Sequence, residues 1–410
     1  MYCTRGSAEK RIYSTHSYHS DMCSYNKPTT ALTGATGFLG SHLMASMLTN
    51  GYRIIIFGRS AKNETLAERI SKLLIWFGIE SRADQVICID ADLSQDNLGI
   101  ENSEYFRLCS EVGSVIHCAS DTSFSESKRE KVMAANINNL NGILEFSRNA
   151  KVNFFHYIST AYVAGSNISY CREILSTSKK FTNVYEESKA AAEQIISGFC
   201  QKHDINLSII RPSIVYGDSQ TGRSLKFNAL YFPIRSAQSI RDIYLNDLRN
   251  NNGLKAAKNG VYIDKDGYMC LPLKIYLPRE GDLNIIPVDY FVNATIKIIE
   301  NCKDGGIYHL TNNFPTTMKI VAKYYEQLMK VKGVEIIYGE QPDILRNPAE
   351  ELFDRFIEPY RPYLSDKRVF DRTNASLATE GLNPPEFTYE IFKICMEYAI
   401  EVDWGISIFK

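Results

Sequence analysis

Short apolar runs recur along the first half of the chain at 30–32, 52–57, 85–90, 114–120, 153–158 and 206–210. Between them lie stretches in which apolar residues return every three or four positions: 41–48, 65–77, 130–149 and 184–193. The first pattern predicts strands buried on both faces and the second predicts amphipathic helices. Strands and helices that alternate in this way predict an α/β fold, a doubly wound parallel sheet of the Rossmann kind. The alternation stops after Gly217. Residues 218–283 read as helices and loops, with a polar stretch at 248–266. A helix opens at 288 after a short apolar run, 306–311 reads as a late strand, and 320–331 as a helix. An acidic-aromatic segment at 350–363 and a last helix at 386–402 complete the pattern. The expected organisation is a flexible leader (1–28), a dinucleotide-binding domain (29–217) and a smaller, mostly helical substrate lobe (218–410) with strands returning to the main sheet.

Composition narrows the function classes. The 410 residues carry a net charge of −1, so no large field draws the chain to nucleic acid or an anionic membrane. No apolar run approaches the ~20 residues of a membrane helix. The ten cysteines form no CxxC pair. That argues against a zinc site or a disulfide scaffold and suits reduced thiols in the cytoplasm, with no metal expected. The leader has no apolar core, so it is not a secretory signal.

The candidate chemistry begins at Thr33-Gly34-Ala35-Thr36-Gly37-Phe38-Leu39-Gly40. A strand, a glycine turn and a helix N-terminus make a cradle for a pyrophosphate, from free N–H groups and the positive end of the helix dipole. The spacing is GxxGxxG rather than GxGxxG. Arg59 and Ser60 end the second strand where an NAD-selective site has a carboxylate. A guanidinium suits a 2′-phosphate, so NADPH rather than NAD is expected. Asp92 and Leu93 follow the third strand, at the adenine position, where Asp92 is either a hydrogen-bond acceptor or a turn cap. Cys118, Ala119 and Ser120 end the fourth strand with small side chains that line a cofactor cleft. His117, inside an apolar strand, reads as a packed histidine, and Asn136 sits in a polar stripe of the next helix. Ser159 and Thr160 end the fifth strand. Tyr185 and Lys189 lie four apart on one helix face. The ammonium is expected to stabilise the phenolate, Thr160 to bond a substrate oxygen, and Tyr185 to act as the proton donor.

With these motifs in place, the chain resembles an extended short-chain dehydrogenase/reductase, a family that carries TGxxGxxG, a Ser/Thr strand end and YxxxK. The resemblance implies Thr160, Tyr185 and Lys189 as catalytic, with Ser159 the neighbouring alternative. It also implies that the 211–213 segment (Pro212 and Ser213) and Val215 contact the nicotinamide. Further stretches (92–94, 97–99, 116–119, 211–218, 284–290 and 308–312) resemble the thioester reductase and fatty acyl-CoA reductase branch. That branch implies reduction of an acyl thioester, on coenzyme A or on an acyl or peptidyl carrier protein, to aldehyde or alcohol. The chain shows no adenylation or carrier domain. A ketone or aldehyde reductase, a nucleotide-sugar or steroid enzyme of the same superfamily, and a regulator that binds NADP(H) are the alternatives.

Overall fold

A computed structural model describes residues 27–166, 168–340 and 346–409. The leader expected over 1–28 falls almost wholly outside the described residues. Seven parallel strands form the main sheet: β1 (Thr29–Thr33), β2 (Ile54–Gly58), β3 (Val86–Asp90), β4 (Val112–His117), β5 (Phe154–Ile158), β6 (Asn206–Pro212) and β7 (Gly306–Leu310). Their order is β7-β6-β5-β4-β1-β2-β3. The chain therefore reverses its winding between β1 and β4, and a crevice opens there at the carboxyl ends of the strands.

Period-two alternation splits each strand between two cores. Leu32, Ile54, Ile56, Ile116, Ile158 and Ile210 face one side. Ala31, Ile55, Phe57, Val115, Phe155, Tyr157 and Ile209 face the other. Helices α1 (Phe38–Thr49), α2 (Leu66–Phe77), α3 (Asn102–Glu111), α4 (Leu140–Asn149), α5 (Val184–Lys202) and α7 (Val288–Asn301) flank the sheet, whereas α6 (Tyr231–Asn250) packs in a separate core. The first core takes Leu43, Met47 and Ile70 from α1 and α2, and Phe291 from α7. The second takes Leu108, Leu144 and Ile196 from α3, α4 and α5.

Two segments depart from expectation. The helix predicted over 130–149 is broken by a π turn at Ala134–Asn138. Residues 218–283 hold α6 and also the strand Met269–Leu277, which pairs in parallel with Val331–Tyr338. Leu271, Leu273, Ile275 and Leu277 alternate as a strand should, but Pro272 within the run argues against one. The fold accommodates the proline at a register shift between Cys270 and Leu273. The helix expected through 331 ends at Met329, because Lys330 is left-handed (φ 51°). These elements enclose a third core, built on Ile234, Ile240, Leu273, Tyr325 and Phe392.

Candidate active site

The turn between β1 and α1 has the features its sequence predicts. Gly34 has φ +77°, and a Cβ there would lie 2.6 Å from the Ala119 nitrogen. A Cβ on Gly40 would lie 2.1 Å from the Gly34 carbonyl oxygen. Neither position tolerates a side chain, so helix, turn and the end of β4 meet backbone to backbone. Gly37 caps α1 without a side-chain hydrogen bond, and the first turn holds no acidic residue. The helix N-terminus is thus an open anion site.

Above it lies a cavity of about 270 Å³. Four chain segments carry the candidate residues in its walls. The end of β4 brings Cys118 and Ser120, the end of β5 brings Ser159 and Thr160, α5 brings Tyr185 and Lys189, and the exit from β6 brings Pro212, Ser213 and Val215. Gly34, Gly37, Phe38, Leu39 and Gly40 form the floor. Asn183 starts α5 by accepting from the Glu186 N–H at 3.1 Å, so Tyr185 falls in the first turn of the helix and Lys189 in the second. The Ser213 hydroxyl is buried in this wall with no hydrogen-bond partner.

The electrostatics differ from expectation in one respect. Burial pushes the Tyr185 phenol above its ordinary range, and a hydrogen bond with Thr160 partly pulls it back. Lys189 is not what lowers it. Its ammonium donates to the Ile158 carbonyl at 2.6 Å and lies 4.1 Å from the Tyr157 ring centroid. The expected amine–phenol partnership is therefore absent in this arrangement, because a carbonyl at the end of β5 competes for the amine. Burial lowers Lys189 itself to about 8.

Ser159 and Thr160, adjacent in sequence, point to different partners. Ser159 donates to Glu193 Oε1 at 2.6 Å. Glu193 also receives Arg211 through two bonds, Nε to Oε1 at 2.9 Å and Nη2 to Oε2 at 2.5 Å. Both side chains are about 1% exposed. Arg211 reaches His309 Nε2 at 3.2 Å. Thr160, one residue on, is left to face Tyr185.

The remaining candidates lie beside the cavity. Thr33 pairs through Oγ1 with His117 Nδ1 at 2.9 Å and accepts from the Ala119 N–H at 3.3 Å, tying β1 to β4. Thr36 sits half-buried in the glycine turn. Arg59 and Ser60 are exposed past β2, where the Ser60 N–H donates to Asp90 at 2.9 Å. Asp92 accepts from the Ser94 N–H and hydroxyl and from Gln95, so its carboxylate caps its own turn. The Leu93 carbonyl lies close beneath Gly142.

Sequence reasoning missed Lys226, Phe124, Tyr360 and Tyr363, all of which line the cavity. It saw Asn136 without a role. The π turn holds this side chain buried, where it accepts from the Asp121 N–H (2.7 Å) and donates to the Asp121 carbonyl and the Ser188 hydroxyl (both 2.9 Å). It thus clamps the β4 loop to α5.

Comparison with known proteins agrees with the fold. Residues 32–295 match the family described as Male sterility protein, an NAD-binding family. The chain is 26% identical over 344 residues to the L-2-aminoadipate reductase large subunit of Candida glabrata, covering 78% of this chain and 24% of that protein. It is 25% identical over 330 residues to fatty acyl-CoA reductase 2 of Homo sapiens, covering 70% of this chain and 58% of that protein. It thus spans about a quarter to a little over half of these relatives. Among solved structures it superposes on the terminal R domain from the myxalamid PKS-NRPS biosynthetic pathway with a TM-score of 0.70. That match is 20% identical and covers 91% of this chain and 90% of the other. Among the described residues no helix is long and apolar enough to cross a membrane.

Proposed function

The chain belongs to the Male sterility protein family of NAD-binding domains, and on that premise we propose that it reduces an acyl thioester with NADPH. The reading rests on one observation: Thr160, Tyr185 and Lys189 line the same cavity as the bare glycine turn. A dinucleotide fits the residues present. Its pyrophosphate suits the uncapped start of α1, and Lys189 and the unpartnered Ser213 hydroxyl offer donors to its nicotinamide end. When bound, the nicotinamide supplies the hydride.

The chain's own groups handle the oxygen and the proton. Thr160 and Tyr185 donate to the thioester carbonyl oxygen and stabilise the oxyanion that hydride addition creates. The raised phenol is still protonated at neutral pH, as a proton donor must be. Tyr185 then protonates that oxygen. The resulting hemithioacetal collapses to an aldehyde and expels the thiol. The same groups serve a second reduction, of the aldehyde to an alcohol.

Arg59 is exposed, and among the described residues it joins no salt bridge, which leaves its guanidinium available to a 2′-phosphate. In this reading residues 29–217 hold the cofactor and 218–410 the acyl group. The thiol carrier is coenzyme A or a carrier protein, and unpaired cysteines suit a cytoplasmic setting. The test is a screen of NADPH oxidation over acyl thioesters, aldehydes and ketones, with Tyr185→Phe as the control. Consumption of thioester that vanishes in the variant is expected. Consumption of aldehyde with thioester untouched would replace this reading with a carbonyl reductase.

A further inference from the structure

We propose that the projection formed by residues 249–268 seats on an anionic lipid surface, with its apolar side chains in the headgroup layer and its lysines against the headgroups. This projection is separate from the catalytic cavity, and none of its residues lines that cavity.

A short helix, Leu254–Lys258, leads into a two-residue strand, Tyr262–Ile263, which pairs antiparallel with Met269 and Cys270. Ala256, Val261 and Met269 are buried and pin the projection to the third core. The Val261 N–H closes the turn on the Ala256 carbonyl at 2.9 Å. The Met269 N–H donates to the Lys330 carbonyl, also at 2.9 Å, which sets Lys330 beside the strand. Held in this way, three apolar side chains face solvent: Leu254 at 76%, Tyr262 at 57% and Ile263 at 46%.

Tyr262 and Ile263 are consecutive in a strand, so they point to opposite faces. A flat protein surface covers one face only, whereas a fluid interface that the projection enters covers both. Two residues also make too short an edge to pair with that of a second copy. Tyrosine suits the headgroup layer, because its ring is apolar and its hydroxyl is polar.

Charge points the same way. Arg249, Lys255, Lys258, Lys265, Lys330 and Lys332 are all exposed. Among the described residues only Lys332 of these joins a salt bridge, with Asp264 at 2.6 Å. Asp264 also accepts from the N–H groups of Asp266 and Tyr268, both at 2.9 Å. Asp247 is buried and accepts from the Ala256 N–H at 2.8 Å. Within 249–268 this leaves Asp266 as the exposed carboxylate without such a role. The chain's net charge of −1 gives no overall attraction to a membrane. The excess here is local, and screening over about 8 Å at physiological salt makes local charge the part that a lipid surface meets. A cluster of about four to eight Lys and Arg is the size that phosphatidylserine surfaces attract.

The test uses the full chain and vesicles of phosphatidylcholine, alone or with about 30% phosphatidylserine, and reads the bound fraction by sedimentation. Binding to the anionic vesicles is expected to exceed binding to the neutral ones by about tenfold or more, and to be lost at about 0.5 M salt. Lys255→Ala with Lys258→Ala should weaken it about fivefold per lysine, or about 25-fold together. Leu254→Ser with Ile263→Ser should weaken it about tenfold. All four side chains are exposed, so the melting temperatures of both variants should match the parent's. The lipid and salt comparisons need no variant. Equal binding to the two kinds of vesicle, or parent-like binding by either variant, overturns the proposal. A chain that sediments with neither kind overturns it as well, and leaves an acidic protein as the occupant.

Discussion

Glu193→Gln should destabilise the protein through a charge left without its counter-charge. Glu193 and Arg211 are each about 1% exposed and are joined by two hydrogen bonds. Glutamine keeps the size and one acceptor oxygen but sets an NH₂ against a guanidinium N–H. Removing one partner of a buried pair costs about 3–5 kcal/mol, and the retained acceptor places this variant at about 3 kcal/mol. At roughly 1 °C per kcal/mol for a chain of this size, the melting temperature falls by roughly 3–4 °C. The assay is urea and thermal unfolding followed by tryptophan fluorescence. The double variant Glu193→Leu with Arg211→Met removes both charges and should be more stable than the sum of its single variants predicts, with a coupling of about 2 kcal/mol. Ser159 loses its acceptor in the double variant, so full recovery is not expected. Singles within about 0.5 kcal/mol of the parent, or a strictly additive double, would refute the claim that each of these buried charges depends on the other.

Lys189 is charged below about 8 and loses its proton as pH rises through that value, so the rate should fall on the alkaline side near pH 8. Lys189→Arg should carry that limb beyond the range in which the protein is stable. His42 and His156 are lowered to about 4, and His117 and His309 to about 3, all mainly by burial. The folded chain thus binds fewer protons than the unfolded one below pH 6.5. Stability is lost as pH falls from 6.5 towards 4, by about 2 kcal/mol per histidine at pH 5. The raised carboxyls of Glu173, Glu186 and Asp289 offset part of this. A melting temperature that stays flat between pH 7 and 5 would contradict the assignment. Arg59→Ala should raise the KM for NADPH about tenfold and leave that for NADH unchanged, since it removes a charge-assisted bond that only the 2′-phosphate receives. Equal effects on the two cofactors would remove the basis for NADPH.

The main sheet was legible because strands buried on both faces are near-continuous apolar runs, and the glycine turn because two of its glycines are sterically obligatory. The strand at Met269–Leu277 was not, because Pro272 breaks the pattern and only the partner's register accommodates it. The direction of Lys189 was not legible either. Its helix position puts it on the right face, but the Ile158 carbonyl takes the amine, and that carbonyl comes from a distant strand. Of the two readings of Asp92, the structure displays the turn cap. The wall formed by Phe124, Tyr360 and Tyr363 joins segments far apart in the chain, so no local spacing announced it, although 350–363 stood out as aromatic.

The central claim is that the Tyr185 hydroxyl gives its proton to the oxygen that receives the hydride's charge. Single-turnover oxidation of NADPH with decanoyl pantetheine, in the parent and in Tyr185→Phe, tests it most directly when paired with the cofactor dissociation constant of each. The account predicts a rate lower by about 10²–10⁴ in the variant, with cofactor affinity changed by less than about twofold. A variant that turns over at the parent's rate with its affinity intact would contradict it.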